Sequence, residues 1–296
     1  MRVIVLGASA GGGLPQWNCG CPNCQAAREG RIPARTQSSL AISANGRDWA
    51  VLNASPDIRA QLAANRALHP TGLRESPLKA VLLTNGDIDH IAGLLTLREK
   101  TGFALYATGE IARILDGDSV FGVLDPALVT RHPILIGRAM TPVPGLTVTP
   151  FTVPGKVPLF QEAGEVETEL VSENTIGLEL SSDTATALYV PGCARIDADL
   201  IERAEQADLL LFDGTVWRND EMARTGTGQK TGLRMGHLPM AGEGGSMARF
   251  AELDRPRRVF VHINNTNPVL DPASPERSEA ETAGWTIAED GMEFTL

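Results

Sequence analysis

Short apolar runs alternate with stretches of helical periodicity along most of this chain. RVIVL (2–6), WAVLN (49–53) and KAVLLT (79–84) are short apolar runs with the length of strands. LTVTPFTV (146–153), TIGLEL (175–180), TALYVP (186–191), ADLLLFD (207–213), RRVFVHI (257–263) and the closing MEFTL continue the series. Helical spacing recurs at 56–68, 90–100, 109–115, 197–206, 244–253 and 275–283, and Ser55 followed by Pro56 has the chemistry of a capped first turn. Strands mixed with helices at short spacing, with no break in composition, predict one α/β domain over residues 1–296 in which helices cover two sheets. Two segments fit neither period. Residues 154–174 and 222–239 are long, polar and rich in Gly or Pro, as lids and site walls often are.

Composition narrows the function classes. The 296 residues are 43% hydrophobic and 21% charged, which supports a folded core. The formal net charge of -10 argues against a nucleic-acid partner, which needs a basic surface. No apolar run approaches the roughly 20 residues of a membrane helix, and the N-terminal stretch lacks the apolar segment of a secretory signal. The expectation is a cytoplasmic protein with no membrane partner, whose four cysteines are reduced.

Three of those cysteines fall in NCGCPNCQ, a C-x-C-x2-C array of Cys19, Cys21 and Cys24 within the segment 18–25. A tight Gly/Pro turn lets three thiolates converge on one ion, and zinc favours such sulfur-rich tetrahedral sites. With three thiolates and no general base beside them, the site reads as structural zinc whose fourth ligand comes from elsewhere. Cys193 stands alone in VPGCAR and reads as a small buried hydrophobe.

The five histidines separate into two groups. His69 and His132 each precede proline in connecting segments and read as surface residues. His90, His237 and His262 lie at strand or loop ends, in a chain that also puts Asp87, Asp89 and Asp213 at such ends, and this pattern favours metal ligation.

The turn NGDIDH (85–90), between an apolar strand and a helix, resembles the H-x-H-x-D-H turn of the metallo-β-lactamase superfamily. Asp89 and His90 match it directly, while Asn85 and Asp87 stand where the leading histidines would be. A glycine or lysine in FTVPGKVP replaces a third histidine, and Gly192 falls about where a bridging aspartate is expected. Together with GASAGGGLPQWNCGCPNC, NASPDIRAQL, FDGTVWRNDEMARTGTGQKTGLRMGHLPM and HINNTNPVLDPASPER, these departures resemble the branch that serves pyrroloquinoline quinone (PQQ) biosynthesis.

That resemblance implies the αββα sandwich, two mixed sheets face to face with helices outside. It implies a non-haem Fe(II)- and O2-dependent hydroxylation of the tyrosine ring in a cross-linked Glu-Tyr intermediate from a precursor peptide. Other proteins of the pathway are the partners it implies, with a homodimer left open. A metal-dependent hydrolase of the same pathway and a non-catalytic carrier of PQQ are the alternative readings. An oxygen-rich site with imidazole and carboxylate ligands suits Fe(II) and O2 better than zinc.

On this reading Asp89, His90 and His237 are iron ligands, Asp87 is a further ligand or proton relay, and Asn85 orients water or substrate. Asp213 either fixes an imidazole tautomer or caps a turn. His262 aligns with a catalytic ligand of the superfamily, but the thiolates need a fourth partner and Asn265 is a poor one, so His262 is assigned to zinc. Lys156, Arg224, Lys230 and Arg234 offer charge to a substrate with several carboxylates, and Trp17 or Trp217 could meet its phenol.

Overall fold

The computed structural model describes residues 1–296, and the chain builds its two sheets almost in sequence order. The first contains β1 (Arg2–Gly7), β2 (Ser39–Ser43), β3 (Trp49–Leu52), β4 (Leu78–Leu82), β5 (Phe103–Ala107) and β6 (Val129–Pro133). The second contains β7 (Met140–Val143), β8 (Leu146–Gly155), β9 (Leu170–Ser181), β10 (Thr186–Val190), β11 (Leu209–Asp213), β12 (Arg257–Val261) and β13 (Trp285–Ile287). Finally β14 (Glu293–Thr295) crosses back to pair antiparallel with β1. The orders are β14-β1-β2-β3-β4-β5-β6 and β13-β12-β11-β10-β9-β8-β7. Each sheet is mixed: β3 to β6 run parallel, as do β10 to β13, and the remaining pairs are antiparallel.

The continuous apolar runs are explained by burial on both faces. Val3, Val5, Leu82, Leu211 and Val259 point between the sheets, whereas Ile4, Leu6 and Val81 turn out beneath the helices of the first sheet and Leu210, Phe212 and Phe260 beneath those of the second. Helices at Ile58–Ala64 and Gly109–Gly117 cover one outer face, and those at Ala198–Gln206 and Pro275–Thr282 cover the other. This is the αββα sandwich.

Five strands lie outside the predicted runs: β2, β5, β6, β7 and β13. Several are short, and β6 is mostly exposed, so neither apolar continuity nor a long alternation marks it. The expected helix at 56–68 is Ile58–Ala64 followed by a 3₁₀ turn at Arg66–Leu68. Ser55 does not cap it, because its hydroxyl donates instead to Gln61 Oε1. The helix expected at 90–100 is a single turn at Ile88–Ile91 that tightens into 3₁₀ geometry through Arg98. A helix at Pro22–Arg28, carrying Cys24, was not anticipated.

One edge of the sandwich is zipped. The Ile263 N–H donates to the Ala8 carbonyl and the Ile176 N–H to the Thr84 carbonyl, each joining the end of a first-sheet strand to the second sheet. The parallel strands β4, β11 and β12 all end at this edge, where their turns can pool side chains from both layers.

Candidate metal centre

The turn after β4 is shaped by buried polar groups. Asn53, in the left-handed region at φ 65, accepts from the Thr84 N–H at 2.9 Å and donates Nδ2 to Thr84 Oγ1 and to the Tyr189 hydroxyl. Asn85 Oδ1 accepts from the Asp87 N–H at 2.9 Å, so its amide oxygen serves the turn. From this turn Asp89 and His90 project to the zipped edge. From the other sheet His262 follows β12, in a left-handed conformation at φ 54, and Asp213 ends β11.

Ligand-capable atoms gather in two groups that share His262: Asp89, His90 and His262, and then Asp213, His237 and His262. The three imidazoles form a row, with ring centroids 5.3 Å apart for His90 and His262 and 5.2 Å for His237 and His262.

Hydrogen bonding distinguishes the groups. Thr215 Oγ1 lies 2.6 Å from Asp213 Oδ1, 2.8 Å from His262 Nδ1 and 3.1 Å from His237 Nδ1, and Asp213 Oδ2 lies 2.7 Å from His237 Nδ1. The Asp213 carboxylate also accepts from the N–H groups of Cys193 and Thr215. This group is satisfied internally. The hydroxyl proton goes to Asp213, so Thr215 accepts from the Nδ1–H of His262 and leaves Nε2 of that ring with a lone pair. That Nε2 faces Asp89 Oδ2 at 3.2 Å, two acceptors turned toward each other. Both ring nitrogens of His90 are buried without any partner, and Nδ1 lies 3.5 Å from Asp89 Oδ1. A cation among Asp89, His90 and His262 would satisfy the Asp89 carboxylate, Nε2 of His262 and one ring nitrogen of His90.

Burial alone would raise the Asp89 carboxyl, but when the adjoining rings carry protons the charge on His90 and a hydrogen bond from His262 hold it well below the usual range, so proton and cation compete for one position. Burial pushes His262 down, toward the neutral ring a metal requires. Burial also opposes charge on His237, yet the Asp213 carboxylate raises it above the ordinary histidine value.

Two expected assignments change. His237 does not join Asp89 and His90, because Asp213 holds it on the far side of His262. Its ring fills the space beside Gly192, where an added Cβ would sit 3.5 Å from His237 Cε1. His262 does not lie against the thiol site; the Asn265 amide does. The sulfurs of Cys19, Cys21 and Cys24 lie within 4.8 Å of one another. Asn265 Nδ2 is 3.2, 3.6 and 3.3 Å from them respectively, while His262 is turned away among the imidazoles.

The remaining residues sort by position. Asn85, Asp87, Lys156 and Lys230 line one cavity of about 280 Å³ with Asp89, His90, His237 and His262. Asp87 lies outside both ligand groups, and its Oδ1 accepts from the Leu159 N–H at 3.0 Å. Asp213 both contacts an imidazole and ties a turn. Arg224 pairs with Asp220 on the surface away from the cavity, and Trp217 is buried in the core under the second sheet. Trp17 is exposed beside the thiols and does not line the cavity. Thr215 was missed. Its only signal was a position two residues after the strand-end Asp213.

The αββα layers define a metallo-β-lactamase fold, with Asp89, His90 and His262 placed at their zipped edge where they could hold a metal ion, and the model of the β-lactamase superfamily domain matches residues 48–263. Coenzyme PQQ synthesis protein B of Ruegeria pomeroyi is 53% identical over 296 residues, and that of a Methylobacterium species 54% over 299, with the whole of each chain covered. The crystal structure of Zn(2+)-bound PqqB from Methylobacterium extorquens superposes with a TM-score of 0.98 at 52% identity, again over both full chains. A diphosphatase of the PhnP family shares the fold at a TM-score of 0.69 and 20% identity, over 100% of this chain and 97% of that one. Within the superfamily, this chain belongs to the coenzyme PQQ synthesis protein B family.

Proposed function

We propose that the chain acts in PQQ biosynthesis as a non-haem iron hydroxylase of the tyrosine ring in a cross-linked Glu-Tyr intermediate. The observation that carries this reading is the donor set of Asp89, His90 and His262, two imidazoles and one carboxylate beside a cavity. Fe(II) held there supplies the activation of O2. Ring hydroxylation replaces C–H by C–OH with one oxygen atom of O2; the other leaves as water, with two electrons and two protons from a reductant outside the chain.

The chain's own residues bind, orient and move protons. Thr215 keeps the Nε2 lone pair of His262 directed at Asp89. His237, with Nδ1 engaged by Asp213, has Nε2 left to exchange a proton with a phenol in the cavity. Lys156 and Lys230 supply positive charge on the cavity wall for carboxylates of the intermediate. The thiols of Cys19, Cys21 and Cys24, with the Asn265 amide against them, hold a structural zinc.

A two-ion hydrolase is the weaker reading. It needs ligands on both ions, whereas Asn85 and Asp87 replace the leading histidines and each already bonds within the fold.

The test is the mass of a glutamyl-tyrosine model and of the cross-linked intermediate after incubation with Fe(II)-loaded protein, a reductant and 18O2. Labelled oxygen in the product, lost in His90→Ala, is the expected result. An iron-bearing protein that leaves both compounds unchanged overturns the reading.

A further inference from the structure

Three cations converge on a single carboxylate at the mouth of the cavity. Glu162 Oε1 lies 3.2 Å from Lys156 Nζ, Glu162 Oε2 lies 3.3 Å from Lys230 Nζ, and the Arg234 guanidinium grips both oxygens at 3.3 and 3.0 Å. The Glu162 side chain is only 10% exposed. Lys156 comes from the segment after β8, whereas Lys230 and Arg234 come from the irregular segment preceding His237. Lys156 packs along this second segment, since a Cβ on Gly236 would sit 3.2 Å from Lys156 Cγ. Lys156, Lys230 and Glu162 line the same cavity as the imidazole row, with Arg234 behind them on Glu162.

One carboxylate cannot neutralise three cations. Their donors are not exhausted by it: an ammonium carries three N–H donors and a guanidinium five, so the same groups can hold a further anion. The carboxylate itself is borne by a short element. Glu162 follows a single 3₁₀ turn, Leu159–Gln161, on which Leu159 and Phe160 are 59% and 53% exposed. Beyond the cations, a hydrogen bond from the Leu159 N–H to Asp87 fastens this turn to the body.

We propose that Lys156, Lys230 and Arg234 form a subsite for a ligand carrying two or more carboxylates, and that Glu162 occupies the place of one of them until the ligand displaces it. The ion cluster itself locates the subsite; identification of its natural occupant as the Glu-Tyr intermediate rests on the function proposed above. Arg and Lys suit the task because charge-assisted, bidentate contacts to carboxylate are strong and can be exchanged one for another. An internal competitor lowers apparent affinity by the fraction of time the subsite is free.

Tricarballylate, a flexible tricarboxylate, is the probe, and calorimetry at low salt is the readout. The parent for all variants is the full-length, zinc-bearing chain with His90→Ala, so that binding through an active-site ion does not contribute. Glu162→Gln should bind tricarballylate about tenfold tighter than the parent and Arg234→Gln about tenfold weaker, while the trimethyl ester binds neither. Unchanged or weaker binding by folded Glu162→Gln, or undiminished binding by Arg234→Gln, overturns the proposal. Should Glu162→Gln not fold, limited proteolysis of the parent decides: tricarballylate must speed cleavage within 156–169, and protection or no change counts against displacement. No turnover is read in these assays, so the hydroxylase reading and the subsite can fail separately.

Discussion

Thr215 Oγ1 sits 2.8 Å from His262 Nδ1 and 2.6 Å from Asp213 Oδ1, and through these two contacts a hydroxyl fixes which nitrogen of His262 is free to bind metal. Partners of metal-binding histidines commonly tune affinity by 10–100-fold. Thr215→Val should therefore keep the fold but lower Fe(II) affinity by roughly that factor, measured by chelator competition, and Thr215→Ser should restore it.

The two proposed metal sites should lose their ions independently. His262→Ala should abolish iron binding and retain zinc, whereas Cys21→Ser should release zinc. Metal analysis of the purified variants checks both, and zinc lost from His262→Ala would return that residue to the thiol site.

Asp87 holds the Glu162 turn through the Leu159 N–H rather than joining a ligand group. Asp87→Ala should leave iron content unchanged and raise KM several-fold with a smaller effect on kcat, since it loosens a wall of the cavity without removing a reacting group. Loss of iron would instead make it a ligand.

Burial pushes the Glu221 carboxyl up to about 7, against an ordinary 4.5. The folded state then binds a proton that the unfolded chain has released between those values, so stability falls as pH rises from 4.5 through 7. Near pH 8 the ionised group costs about 3 kcal/mol. Glu221→Gln can keep the contacts to the Trp217 N–H and the Thr266 hydroxyl. Denaturant melts should show the variant stabilised relative to the parent at pH 8 and little changed at pH 4.5.

The sandwich was legible because its central strands are continuous apolar runs, which only double burial explains. The edge strands β6 and β7 were not legible, since they are largely exposed or short and take their conformation from their neighbours. Among site residues, Asp89 and His90 could be read from one turn, but the partition of His237 and His262 could not. It depends on which imidazole reaches Asp89, that of His262 just after β12 or that of His237 in the irregular segment 222–239, and on a left-handed backbone at His262 that its sequence context does not mark. Assigning His262 to the thiols rested on asparagine being a poor zinc ligand; the fold nonetheless puts the Asn265 amide against all three sulfurs.

His262 and Asn265 are three positions apart, one facing the imidazole row and the other the sulfur cluster. The intervening Ile263 is locked by backbone bonds to Ala8 and Ala10, so the spacing has no slack. Evolution can therefore exchange side chains in this short bridge more readily than it can change its length: one inserted or deleted residue would pull one of the two centres out of register. Among functional descendants of this chain, gaps in an alignment should avoid 262–265 even where the letters there differ.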